Sequence, residues 1–327
     1  MVDVPSQPGP STAEGPRTVE QSHKVERADE GRHPKGPERL WSESWYADFV
    51  DGDGALGGYV RLGLYPNRGV SWWTVLVVGT GRRAVSISRH DLAVPPEPGL
   101  AVAGAGARIG LDLAEPLERF GVHSTGSGEV SQDAASPWSL ERGAEVAVAV
   151  DLEWATAGTP YRYEAATRYE VPCEVTGEIT LGDEVLTISG QGQRDHSWGV
   201  RDWWAFSWCW AAWRFDDGTR VHLADIRIGD GIAFGYVQRP GEKVVTVERL
   251  EVETERGPDG FPKGSRIRIE PGGLEVAVEP VAFGSMPLSD DGERTRVMPR
   301  AMARFVEPRG RVGLGWVEWN SPEHPGA

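Results

Sequence analysis

From Trp41 onward the chain is a succession of short apolar segments separated by Gly, Pro, Asp and Asn, the punctuation of antiparallel strands joined by tight turns. Segments at 58–65, 70–78, 84–88, 107–113 and 145–154 form one series. A second runs through 173–181, 185–189, 203–213, 220–228, 232–238, 244–253, 265–269, 274–280 and 302–306. Within 145–152, Val146, Val148 and Val150 alternate with Ala and Glu, which suits a wall with apolar layers on both faces. The longest helical candidate, 112–119, contains Pro116, whose ring removes a backbone donor and crowds the preceding turn. Little helix is expected. No internal repeat of roughly 20 to 50 residues marks a propeller or solenoid, so the pattern predicts an all-β chain of tandem antiparallel barrels.

Residues 1–40 contain no Trp, Tyr or Phe, are rich in Pro, Gly and charge, and show no apolar period, as expected of a disordered leader. Order is expected from Trp41, where Trp41, Trp45, Tyr46 and Phe49 fall close together. Pro172 interrupts the strand pattern and fresh hairpins follow it, which places a boundary between Val171 and Pro172. The expected domains are an N-terminal barrel over 41–171 and a C-terminal barrel over 172–322.

The 327 residues, 39% hydrophobic and 25% charged, suffice for two packed cores. A formal charge of −15 excludes a phosphate backbone as partner, so no nucleic-acid binding is expected. No apolar run reaches the roughly 18 residues of a membrane helix and no signal-peptide pattern opens the chain, so a cytoplasmic location without a transmembrane segment is expected. Cys173 and Cys209 read as reduced core thiols. Phosphate-loop, nucleophile-elbow and dinucleotide glycine patterns are missing and the histidines are dispersed, so neither metal nor cofactor is expected.

The stretch 190–204 gathers three glycines, two arginines, an acid–histidine pair and three tryptophans. If extended, it sends Arg194, His196 and Trp198 to one face and Asp195 and Ser197 to the other. Trp204, Phe206, Trp208 and Trp210 then follow at period two, an aromatic wall that suits either core packing or a cavity for an unsaturated hydrocarbon. Of the 14 tryptophans, five lie between Trp203 and Trp213, a density that favours a dedicated purpose.

The pattern Gly-x-Gly-x-Arg-Asp-His-Ser-Trp-Gly-x-Arg, from Gly190 to Arg201, resembles the signature of the superfamily of carotenoid 1,2-hydratase, kievitone hydratase and AttH-like proteins. The segments Cys173-Glu-Val-Thr-Gly-Glu-Ile, Trp41-Ser-Glu-Ser-Trp-Tyr and Arg61-Leu-Gly-Leu-Tyr-Pro are similar to its bacterial branch, so the likeness spans about Trp41 to Asn320. The resemblance implies two lipocalin-like barrels, the C-terminal one carrying the motif, and an apolar ligand of isoprenoid, polyketide or lipid type. It carries the functional His and Trp onto His196 and Trp198 and an acid onto Asp225, whereas Leu223 stands where a tyrosine would be.

Hydration of a double bond needs a proton donor aimed at carbon, a surface that tolerates positive charge, and a positioned water. Asp225 among apolar neighbours would supply the proton, His196 would position water, and Trp198 would face the cation. An extended 221–227 puts His222 and Asp225 on opposite sides, and Asp225 is preferred. Trp204, Phe206, Trp208, Trp210, Arg194 and Arg201 are expected to bind the ligand. Two functions follow: an acid–base enzyme, hydratase or cyclase, working on a carbon–carbon double bond, or a non-catalytic carrier of a hydrophobic metabolite. Asp195 beside Arg194, and Asp202 beside Arg201, also suit pairs that merely fix the hairpin.

Overall fold

The structure, a computed structural model, describes residues 24–104, 106–131, 138, 142–164, 166–229, 231–290 and 294–321. It is built of two curled antiparallel sheets and a small hairpin, with no α-helix among the described residues. The first sheet comprises β1 (Trp41–Asp51), β2 (Leu56–Tyr65), β3 (Val70–Gly79), β4 (Arg82–Ala93), β5 (Val102–Gly104), β6 (Ala107–Glu115), β7 (Arg119–Ser131), β8 (Arg142–Thr156), β9 (Tyr161–Arg162), β10 (Arg168–Leu181) and β11 (Glu184–Val200). The second comprises β12 (Ser207–Phe215), β13 (Arg220–Arg227), β14 (Ile232–Gln238), β15 (Val245–Thr246), β16 (Arg249–Arg256), β17 (Pro262–Glu270), β18 (Leu274–Phe283), β21 (Arg300–Val306) and β22 (Val312–Asn320). The hairpin of β19 (Met286–Asp290) and β20 (Arg294–Met298) forms a separate sheet that packs on Tyr65 and Trp72 of the first.

The first sheet closes on itself. β1 pairs with both β2 and β11, and β4 meets β7 at Val85↔Val130, giving a ring in the order β1, β2, β3, β4, β7, β8, β10, β11. The second ring closes through a single run of chain: Val247 N donates to Gly235 O at one edge and Glu248 N to Glu270 O at the other, both at 2.9 Å. Closure leaves few unpaired strand edges, which is how β proteins avoid edge-to-edge association.

The strand register places the partition between Val200 and Ser207, not at Pro172. β10 runs through Pro172 unbroken, and proline is tolerated there because its missing donor falls where the neighbour changes from β9, opposite Glu170, to β8, opposite Cys173. The 190–200 motif therefore belongs to the first barrel. Residues 112–115 end β6, 116–118 form a turn and Arg119 opens β7, with no helix, as Pro116 implied.

Alternation follows exposure. In β17, Ile267 and Ile269 are buried while Arg266 and Arg268 face solvent, the pattern of a wall with one wet face. β1, β2 and β3 are buried on nearly every residue, because a second apolar layer covers their outer face. The two-sided wall thus lies here and not at 145–152, whose outer positions face solvent. The covering layer is the second barrel: Tyr46, Tyr59 and Leu76 pack with Trp210, Tyr236, Met302 and Trp316 in one cluster. Each barrel also has its own filled interior, with Trp73 and Trp154 in the first and Phe305 and Trp319 in the second. Cys173 and Cys209 are free thiols in those two interiors, as expected.

Of the expected leader, residues 1–23 lie outside the described residues, and 24–40 are ordered against the first barrel. A short 3-10 turn, Arg27–Glu30, inserts Glu30, whose Oε1 accepts from Arg194 Nη1 and Tyr169 Oη, both at 2.6 Å. Trp45 Nε1 donates to Glu30 O at 3.0 Å. This polar plug was missed because nothing aromatic or periodic marks it; its anchor is a single carboxylate. Replacing Glu30 with Ala leaves the buried Arg194 charge unpaired and should destabilise the fold by about 3–5 kcal/mol. Denaturant unfolding checks this, and a loss below about 1 kcal/mol would mean that the plug is a surface decoration.

Candidate functional site

The 190–200 motif is strand β11, held in register by β1 through Trp45↔His196 and by β10 through Tyr169↔His196. Gly190 and Gly192 are needed because β11 crosses β1 closely: a Cβ there would lie 2.1 Å from Val50 O and 1.9 Å from Asp48 O. The ladder opens at this crossing, and the Asp48 carboxyl replaces a backbone acceptor, taking Gln193 N at 2.9 Å.

Alternation then divides the motif between two environments. Arg194, His196 and Trp198 turn to the end of the first barrel. His196 Nδ1 faces Asp29 O at 2.7 Å and Nε2 faces Glu43 Oε1 at 3.1 Å, with Trp45 stacked on its ring at 4.4 Å. His33 Nδ1 reaches the same Glu43 oxygen at 2.8 Å, and Trp198 stacks on His33 at 3.7 Å. Burial alone would raise the Glu43 carboxyl, but hydrogen bonds from His196 and His33 outweigh it and hold the group below its ordinary value. His33, Glu43 and His196 are also the three residues whose donor atoms lie within 4.8 Å of one another, so a divalent ion could be held there in place of these hydrogen bonds.

Asp195 and Ser197 turn the other way, into a cavity of about 110 Å³ between the barrels. Ser44, Tyr46 and Arg61 come from β1 and β2, Tyr163 and Arg168 from the segment leading into β10, and Arg201, Asp202, Trp203 and Phe206 from the link between the barrels. The second barrel contributes Trp208, Trp210, Ala224, Ile226, Arg300 and Glu318. The floor is aromatic and one side is cationic.

Asp195 Oδ2 accepts from Arg168 Nη2 at 2.7 Å, and Arg168 Nε is held by Glu170 Oε1 at 2.8 Å. Burial raises the Asp195 carboxyl, while Arg168, Arg201 and Arg61 pull it back; the balance stays above the ordinary aspartate value, so its proton exchanges nearer neutrality. Behind it lies a buried network. Gln193 Nε2 donates to Glu170 Oε2, Trp210 Nε1 to Glu170 Oε1, and Tyr163 Oη to His222 Nε2 at 2.6 Å. Burial depresses His222, so the ring is neutral, donates from Nδ1 to Ala211 O and accepts from Tyr163; its 3.4 Å approach to Glu170 is therefore no ion pair. Arg300 lies over Tyr46 at 4.6 Å and Tyr59 at 4.1 Å and is paired with Glu318.

The expected convergence of His196, Trp198 and Asp225 is not found. His196 and Trp198 end in the first barrel, and Asp225 shares the inner face of the second with Cys209 and Leu223, paired with Arg227 at 3.2 Å. The register Trp210↔Ala224 puts His222, Ala224 and Ile226 on the side of the cavity, so the choice between His222 and Asp225 falls to His222. Of the aromatic wall, Phe206, Trp208 and Trp210 line the cavity, whereas Trp204 lies under Arg294 at 4.3 Å. Strand geometry starts only at Ser207, so alternation does not extend back to 204, and Trp203 lines the cavity instead. Arg201 lines it; Arg194 does not. Arg168, Glu170, Tyr163 and Arg300 carried no signal in the sequence, since each is placed by a partner distant along the chain.

Asp48 provides a pH signature. Burial, against the hydrogen bonds from Gln193 and Tyr46, pushes its carboxyl up to about 7. The unfolded group loses its proton near the ordinary aspartate value of 3.8 while the folded one keeps it, so the stability it contributes is full below that value and is lost as pH rises toward 7. Asp48→Asn should therefore flatten part of the fall in unfolding free energy over that interval; equal slopes for both proteins would place the Asp48 proton elsewhere.

The family model described as a domain of unknown function, DUF7064, matches residues 26–323. No curated protein is similar enough in sequence to match. Among solved structures, NE1406 of Nitrosomonas europaea, provisionally assigned as an AttH, is 13% identical with a TM-score of 0.64, over 94% of this chain and 98% of that one. Kievitone hydratase from Nectria haematococca is 12% identical with a TM-score of 0.56, over 87% and 90%. CghA solved with Sch210972 is 12% identical with a TM-score of 0.56, over 88% and 90%. At these identities the likeness establishes the fold, two tandem lipocalin-like barrels, and agrees with the superfamily indicated by the motif. Among the described residues no helix is long and apolar enough to cross a membrane.

Proposed function

The chain belongs to the DUF7064 family, and from that footing we propose that it is a hydratase- or cyclase-type enzyme acting on a double bond of an apolar small molecule in the cavity between the barrels. The observation that carries this is Asp195: a carboxyl with a raised proton affinity, aimed by Arg168, in a cavity floored by Phe206, Trp208 and Trp210. A protonated Asp195 gives its proton to one alkene carbon, forming the new C–H bond with the π pair. The cation left on the other carbon lies against indole and phenyl rings, each good contact contributing roughly 0.5–2 kcal/mol. Water then adds to it and returns a proton to Asp195, which is hydration; capture by a second double bond of the same molecule, followed by proton loss to Asp195, is cyclisation. Tyr163, fixed by His222, and the Ser44 and Ser197 hydroxyls, 3.2 Å apart, are placed to hold the water. A hydratase among the proteins of this fold supports the reading.

The site assignment moves accordingly. Asp195 takes the donor role expected of Asp225, and His196 with Trp198 form the packed end of the first barrel. The apolar compound recovered from purified protein by solvent extraction, returned to the protein in heavy water, should gain one carbon-bound deuterium. Asp195→Asn should fold normally, lose on the order of 10²–10⁴-fold in rate, and lack the alkaline limb of the wild-type pH profile. Recovery of the compound without deuterium would instead identify a carrier, and an unimpaired Asp195→Asn would remove Asp195 from the chemistry.

A further inference from the structure

Four guanidiniums line the cavity, and two of them are accounted for. Arg168 is shared between Asp195 and Glu170, and Arg300 is paired with Glu318 at 3.2 Å. Asp202, the remaining acid on the wall, faces Arg294 at 3.5 Å. Arg61 and Arg201 have neither an ion pair nor a side-chain hydrogen bond among the described residues, although Arg61 is 94% buried by its 6% exposure. Arg61 lies over the Trp203 ring, at 5.0 Å. The two face the same cavity, and burial together with Arg168 and Arg61 depresses Arg201 to about 10. A buried guanidinium such as Arg61, beside the half-buried Arg201, is costly unless an anion joins the two.

The backbone makes room for this arrangement. Arg61 folds over Gly63, where a Cβ would lie 2.7 Å from Nη1 and 3.1 Å from Nη2. The glycine of the Arg61-Leu-Gly-Leu segment thus sets the position of the guanidinium.

We propose that the ligand of this cavity is an apolar molecule bearing an anionic head group, carboxylate or phosphate, which seats between Arg61 and Arg201 with its hydrocarbon body on Phe206, Trp208 and Trp210. This rests on the preceding reading of the cavity and names its substrate class. Guanidinium forks match the oxygens of either anion. Occupation also changes Asp195: the bound anion cancels two of the three cations that draw its proton away, so the substrate itself favours the protonated donor.

Calorimetric titration of the full chain with geranate, geranyl phosphate and geraniol separates charge from hydrocarbon, since all three share one isoprenoid body. At least one anion should bind about tenfold or more tighter than the alcohol, and the tighter anion identifies the head group. Arg61→Gln should abolish that preference while leaving geraniol unchanged. Gly63→Ala keeps every charge but displaces the Arg61 tip, and should reduce the preference in part. Equal affinities for the three, full retention of the preference in Arg61→Gln, or failure of both anions to bind would overturn the proposal; deuterium incorporation into the extracted compound would still stand, because it does not depend on a head group.

Discussion

Strand β11 is hydrogen-bonded along both edges, to β1 and to β10, and so cannot rotate about its axis. Everything of chemical interest in the motif follows from that constraint. A strand fixed on two sides must deliver alternate residues to opposite faces, and here the faces are the end of one barrel and the seam between two. The motif is dense because it serves both. Its even-numbered residues seal the first barrel against the 24–40 segment, with His196 and Arg194 anchored on Asp29, Glu30 and Glu43. Its odd-numbered residues, Gln193, Asp195 and Ser197, belong to the seam.

The seam is the third core of the molecule and the least ordinary. The barrels meet through Tyr46, Tyr59, Trp210 and Trp316, yet Asp48, Glu170, Asp195, His222 and Arg300 are buried among them. Buried polar groups are tolerated when each finds a partner, and Glu170 shows how far this extends, accepting from Arg168, Gln193 and Trp210. Such a network holds the cavity wall in one arrangement, as the proposed proton transfer to carbon would need. Among the described residues both barrel interiors are filled with large side chains, and the cavity that Asp195 faces lies between the barrels.

Much of this was legible in the sequence. Short apolar segments with Gly and Pro punctuation gave the β class, and the glycine-dense motif falls where Gly190 and Gly192 let β11 cross β1 closely. Period-two spacing placed Trp208 and Trp210 on one face. The failures share one cause. Alternation tells which residues share a face but not what that face meets, and register between strands far apart in sequence is invisible. Asp225 was therefore preferred over His222, and His196 over Asp195, each one strand position from the seam. Pro172 looked like a boundary because the gap between its neighbours β9 and β8 cannot be read from one strand. Glu30 and Glu43 had no local signal, since their importance comes from His196 and Arg194 more than 150 residues away.

The central claim is the location of the ligand: between the barrels, on the Asp195 face of β11. A crystal structure of the protein carrying the apolar compound with which it purifies tests this most directly. The account predicts ligand density against Trp208 and Trp210 with one carbon in reach of Asp195. Density inside the first barrel, against His196 and Trp198, with the seam cavity holding only water, would contradict it.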